Sequence, residues 1–446
     1  MANVTEQLAG YISGRRYDAL SAGEIAVAKH CLLDYIGVTM AGSDEPLVRI
    51  IKTRALEEGG HPRASLVGED RKVSVSQAAL INGSAAHAHD YDDVHMEMSG
   101  HPTVPVAPAL LALAEREEKS GGELIQALVA GLDAECIIGR YVGRSHYARG
   151  FHATGTLGCF GAAAACANIL GLDVAATRHA LGIAATQASG LKSMFGTMCK
   201  PFHAGKAACN GLMAAELGAG GFTSETSPLE VEQGFASTHS DESSQVDFEQ
   251  ALAARNHVPM TLFKYHAACY LTHSAMEGTQ HLLREHGFGP DDVKSVDLTV
   301  DRGHFSVCNL QAPTTGLEAK FSLRFTAAMI LHGIDTANIT GYTDELTRDP
   351  ALVATRDKVK VLAHESPGRD TLVSIELNDG SKVQTAWNVA VPEKDLDLQW
   401  SKLTDKFRAL ASPVIGEDES EAVIDSVVSL DGADSLADFF NAVRGR

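Results

Sequence analysis

A chain of 446 residues with 45% apolar side chains is too long for one compact core and can bury two, so two domains are expected. Asp and Glu outnumber Lys and Arg by 57 to 37, a formal charge of −20 that no basic run interrupts. Such a surface makes nucleic acid and anionic membranes poor partners, and an anionic ligand would have to be drawn in by local cations and helix ends.

The N-terminal stretch MANVTEQLAGYISGRRYDAL lacks the apolar core of a signal peptide, and no later run reaches the roughly eighteen apolar residues of a membrane span. The expected location is cytoplasmic. From there to about residue 266, apolar residues recur at helical spacing, as in EIAVAKHCLLDYIGVTMAG, VAPALLALAERE, GELIQALVAGLDAECIIGRYV and GAAAACANILGLD. The polar stretch 224–250 reads as a surface excursion. A helix over about 267–287 is followed by the alternating strand VKSVDLTV, the helix FSLRFTAAMILHG, and two strands in TLVSIELNDGSKVQTAWNV turning at Asn378-Asp379-Gly380. LTDKFRALASPV and SLADFFNAVRGR then return to helical spacing. The fold class expected is mainly α, with a large all-helical domain (1–266 with 396–446) and a smaller α+β domain (267–395). Eight cysteines lie in apolar stretches without paired CxxC spacing and read as reduced, mostly buried thiols.

The densest titratable segment is His87-Ala88-His89-Asp90-Tyr91-Asp92-Asp93-Val94-His95, with His101-Pro102 close behind. Three readings stand there: a metal site, solvated loop charges, and groups that transfer protons and orient a substrate. The metal reading is the weakest of the three, because no other His/Asp pair is spaced to complete a site. Further signals are Arg149-Gly150-Phe151-His152 before a Gly/Ala-rich helix, the run 196–203 with Lys200 and His203, and the run 263–269 with Lys264 and Cys269. His101, His152, Lys200 and Lys264 each read as lying immediately before a helix, and converging helix N-termini make an anion site. That field would hold a nearby imidazole neutral and able to accept a proton, while the lysines pair with carboxylates.

Through these motifs, and through CLLDYIGVTMAG and AKFSLRFTAAMILHG, the sequence resembles the MmgE/PrpD family along nearly its whole length. The resemblance implies a helical domain with an inserted α+β lid, a homodimer, no cofactor and no metal, and a small polycarboxylate substrate bound in a cleft between domains. It carries catalytic roles to Asp90, His101, His152, Lys200 and Lys264, with His203 and Cys269 beside the two lysines for substrate binding. Three positions depart from the decarboxylase-like members: Val94 for Thr, Cys269 for His and Phe325 for Tyr. The leading expectation is an epimerase that abstracts and returns the α-proton of iminodisuccinate, with His101 opposed by a Lys, His152 or Tyr147. A lyase dehydrating 2-methylcitrate or a related hydroxy-tricarboxylate is the alternative, and a non-catalytic polycarboxylate-binding module the third.

Overall fold

The computed structural model describes residues 4–242, 248–253, 257–365 and 370–445. The chain divides into two compact units, one formed by Met1–Phe263 with Glu393–Arg446 and the other by Lys264–Pro392. Apart from the short antiparallel ribbon β1 (Ala64–Ser65) and β2 (Lys72–Val73), the described part of the first unit is helical.

At its centre lies the helix Ala153–Ile169, buried along its whole length. ATGTLGCFGAAAACANI presents small side chains on every face, so neighbouring helices can approach from all sides. The helices Thr103–Arg116, Gly121–Ala148 and Cys199–Ala219 pack around it. Reciprocal capping fixes where several helices begin: Ser74 with Gln77 starts Val75–Ala86, and Ser120 with Glu123 starts Gly121–Ala148. Where Val75–Ala86 crosses Cys199–Ala219, a Cβ on Gly83 would stand 2.8 Å from Gly205 Cα, so the two backbones touch. That contact sets the spacing between His87, just past the first helix, and Lys200 and His203 on the second.

The helix Leu396–Ile415, after the second unit, lies on Ala22–Gly42. Between them Lys406 Nζ reaches Asp34 Oδ1 at 2.6 Å, donates to the Tyr91 carbonyl at 2.8 Å and sits 3.9 Å from the centre of the Tyr91 ring. All three residues are buried, so this ammonium fastens the 87–95 segment from below. In its described part the polar stretch after residue 224 runs over the surface, mostly exposed or half-buried, and a few side chains anchor it. Leu229, Phe235 and Ala236 are buried, and Glu230 accepts the Thr5 N–H at 3.1 Å. Residues 243–247 of that stretch lie outside the described residues.

In the second unit, β3 (Val293–Val300), β4 (Val359–Ala363), β5 (Thr371–Leu377) and β6 (Lys382–Trp387) form a sheet in the order β4-β3-β5-β6. β3 runs parallel to β4 and antiparallel to β5, with Leu298 opposite Val361 and Val373. Alternation turns Val373 and Ile375 inward against Ala275, Leu282, Leu323 and Ala327 of the helices Tyr270–His286 and Leu323–Leu331. The first of these helices starts at Tyr270 with Cys269 as its N-cap, so Lys264 does not immediately precede it as expected. Ala267 N–H to Thr336 O at 2.8 Å and Cys269 N–H to Lys320 O at 2.9 Å tie the intervening, bent chain to distant parts of the unit. Among the described residues no helix is long and apolar enough to cross a membrane.

The Lys406 contact has a measurable weight. Lys406→Met leaves the Asp34 carboxylate buried without its partner, and chemical denaturation is expected to register a loss of about 3–5 kcal/mol. Adding Asp34→Asn should recover part of that loss.

Candidate active site of the first unit

Three stretches bring titratable side chains together: the segment after Val75–Ala86, the start of Ala153–Ile169 and the start of Cys199–Ala219. His87 caps the first of these helices and turns its ring inward, where Nδ1 lies 2.9 and 3.1 Å from the two oxygens of Asp92. Asp92 is itself 1% exposed, and its Oδ2 stands 3.1 Å from His101 Nδ1. The same His101 nitrogen faces the Asp93 carbonyl at 2.8 Å, while His101 Nε2 faces Asp90 Oδ1 at 3.4 Å. With oxygen acceptors on both sides, a doubly protonated ring satisfies every contact, whereas a neutral ring satisfies one side.

Asp90 adopts φ 53°, the left-handed region that Asp tolerates better than most residues. This turn faces its carboxylate to solvent and to Lys200, whose Nζ lies 2.8 Å from Oδ1. Below it, Asp93 accepts the Thr103 N–H at 3.2 Å and the Thr103 hydroxyl, tying the segment to the helix Thr103–Arg116. Burial, reinforced by Asp34, pushes the Asp93 carboxyl up to about 8.

His152 is the N-cap of Ala153–Ile169 and is 2% exposed. Its ring stacks on His87 at 5.6 Å and 18°, meets Phe195 edge-on at 5.0 Å, and places Nδ1 3.0 Å from His203 Nδ1. Burial first, then the charges of His87 and Lys200, hold His152 far below the ordinary imidazole range. Burial, only partly opposed by Asp92, likewise lowers His87 to about 4. Asp92 moves the other way: although burial alone would raise it, His101 and His87 keep it well below the carboxylate range. The patch therefore holds His87 and His152 neutral beside an Asp92 carboxylate kept charged.

Of the residues singled out from sequence, Asp90, His101, His152, Lys200 and His203 come together here. Lys200 lies in the first turn of its helix, after the N-cap Met198, rather than before it. Tyr147 borders the group: burial and then the Asp90 charge raise its phenol, and Lys192 Nζ lies 3.6 Å from its ring centre. Lys264 and Cys269 belong to the second unit. There Lys264 acts on His273, which burial and then His266 also push well below its usual range, and His266 faces Glu277 at 3.3 Å. His87, Asp92 and Asp93 were part of the conspicuous segment but were not selected. In a run of neighbouring Asp residues, the direction each side chain takes depends on the left-handed turn at Asp90.

One ligand atom from each of His87, Asp90, Asp92 and His101 lies within 4.8 Å of the others, a spacing that admits a cation. Lys200 already supplies positive charge to Asp90, and both histidines already engage the Asp92 carboxylate. A second group, His95, Cys136 and His257, is committed to structure: His95 Nε2 donates to the His257 carbonyl at 2.9 Å and Nδ1 accepts the Glu97 N–H at 3.2 Å.

The MmgE/PrpD N-terminal domain matches residues 6–247, and the MmgE/PrpD C-terminal domain matches residues 266–431. Similar proteins include the cis-aconitate decarboxylase of Mus musculus, 27% identical over 468 residues that cover 100% of this chain and 94% of the relative. Those of Homo sapiens and Aspergillus terreus are each 27% identical, over 100% and 96% of this chain and 95% and 94% of the relatives.

Because His87 is neutral in the fold down to about pH 4 but titrates near 6.5 when unfolded, the unfolded state binds the extra proton between these values. Stability is therefore present above pH 6.5 and lost as pH falls toward 4. In thermal unfolding across this window, wild type should lose about 1.4 kcal/mol per pH unit more than His87→Asn. Parallel curves for the two proteins would contradict the assignment.

Proposed function

The chain belongs to the MmgE/PrpD family, and on that footing we propose that it is a cofactor-independent lyase that dehydrates a small hydroxy-polycarboxylate. His152 Nε2 takes the proton next to a carboxylate, and the C–H electron pair becomes the new C=C bond. The C–O bond breaks, and His101 gives its proton to the departing hydroxide, which leaves as water. Lys200 pairs with the carboxylate on which enolate-like charge develops. A homodimeric state, implied by the family resemblance, belongs to this reading, as does the cytoplasmic location expected from the sequence. So do substrate-binding roles for Lys264 and Cys269, and an accessory proton-transfer role for Tyr147.

The observation that carries the proposal is the juxtaposition of two imidazoles in opposite surroundings. His152 is sunk among His87, His203 and Phe195, whereas His101 lies between the carboxylates of Asp90 and Asp92. Both flank the ring of His87, at 5.6 and 4.7 Å between centroids. A base and an acid gathered around one ring suit loss of a proton and a leaving group from adjacent atoms. An epimerase needs its acid and base on opposite faces of one carbon. The similar proteins, named as decarboxylases, also favour a lyase over the epimerisation of iminodisuccinate expected first.

Decarboxylation of cis-aconitate is the second reading, favoured by the names of those relatives. In that case a C–C bond releases carbon dioxide and His101 protonates the carbanion. Against it stand the departures at Val94, Cys269 and Phe325, which replace a hydroxyl, an imidazole and a phenol that would help orient a tricarboxylate.

Incubation with 2-methylcitrate, citrate, cis-aconitate and iminodisuccinate in D2O, followed by NMR, separates the readings. An alkene resonance from a hydroxy acid supports dehydration, carbon dioxide with a deuterated product supports decarboxylation, and exchange with loss of optical activity restores the epimerase. His101→Ala and His152→Ala should each lower kcat by about 10²–10⁴-fold. Lys200→Met should mainly raise KM.

A further inference from the structure

His152 makes its one hydrogen-bond-length ring contact, among the described residues, to a second imidazole: Nδ1 to Nδ1 of His203 at 3.0 Å, with centroids 5.2 Å apart and planes inclined by 51°. Two ring nitrogens at this separation share one hydrogen, because two N–H groups would collide and two lone pairs would repel. The pair therefore has two states. If His203 donates, His152 carries its own hydrogen on Nε2 and cannot act as a base there. If His152 donates, its Nε2 is bare.

The surroundings favour the second state. The His203 ring is half-buried, so its Nε2–H can be hydrated, and neutral imidazole by itself prefers the hydrogen on Nε2, which leaves Nδ1 as an acceptor. His152 is fixed against it: its backbone N–H donates to Gly190 O at 2.9 Å and its carbonyl accepts from Thr156 N–H at 3.1 Å. A Cβ on Gly155 would stand 3.2 Å from His203 Cβ, so the two helices meet closely at this pair.

We propose that His203 is a positioning residue that accepts the Nδ1 hydrogen of His152 and thereby presents His152 Nε2 as a proton acceptor, rather than touching substrate as expected from sequence. The kinetic consequence rests on the elimination reading; the tautomer does not. When the substrate proton arrives at His152 Nε2, the C–H pair stays with substrate carbon. The imidazolium keeps its Nδ1–H on His203, and no second proton moves. This is the arrangement of a base oriented by a third group.

Long-range 15N–1H NMR of labelled protein at pH 7.5, assigned with His152→Asn and His203→Ala, reads the tautomer directly. A pyrrole-type Nδ1 and a pyridine-type Nε2 on His152 are expected, mixed in His203→Ala and retained in His203→Asn, whose side-chain oxygen can accept the same hydrogen. With an active substrate, His203→Ala should lower kcat about 10²-fold, leave KM within about 2-fold and shift the acidic limb of the pH profile, with His203→Asn recovering most of the loss. An Nε2–H tautomer in wild type, or a raised KM with unchanged kcat, overturns the proposal. Absence of turnover by wild type on every polycarboxylate would overturn the elimination reading, and the NMR result would then decide the tautomer by itself.

Discussion

The carboxylate of Asp92, shut away from water between the imidazoles of His87 and His101, is the contact on which the rest of the site depends. A desolvated carboxylate is costly unless its oxygens receive hydrogen bonds, and here two rings supply them. Accepting from His87 Nδ1 fixes that ring's orientation, and the stacked His152 inherits a flat, dry neighbour. Accepting from His101 Nδ1, together with the Asp93 carbonyl, aims His101 Nε2 toward Asp90. One buried charge thus orders two rings directly and a third through stacking.

The wider first unit exists in a form that can hold this carboxylate still. The Thr103 bonds to Asp93 and the Lys406 bond to the Tyr91 carbonyl grip the segment on either side of Asp92. The close crossing at Gly83 and Gly205 brings Lys200 and His203 within range without long side chains between the helices. The net charge of −20 is compatible with the anionic substrate proposed above. Lys200 stands beside Asp90 and acts at short range, where distant surface carboxylates are screened.

Much of this was legible in the chain. Apolar spacing marks the helices, and the alternation in VKSVDLTV with the turn at Asn378-Asp379-Gly380 marks β3, β5 and β6. His101, His152 and Lys200 were identifiable because each sits beside a helix start rich in small residues. What escaped is tertiary. The inward turn of Asp92 depends on the left-handed backbone at Asp90, and the His152–His203 contact joins residues on two helices whose crossing no local pattern specifies. The late start of the helix at Tyr270 has the same origin, since Thr336 and Lys320 capture N–H groups that a helix would otherwise use.

In the dehydration proposed above, proton and hydroxide leave from one side of the substrate, toward neighbouring imidazoles. The most direct measurement is the stereochemical course of dehydration, using a hydroxy-tricarboxylate carrying deuterium at one or the other prochiral hydrogen and mass analysis of the alkene. Loss of the hydrogen on the same face as the hydroxyl is expected. Loss of the opposite hydrogen, or deuterium washout without release of water, would contradict it.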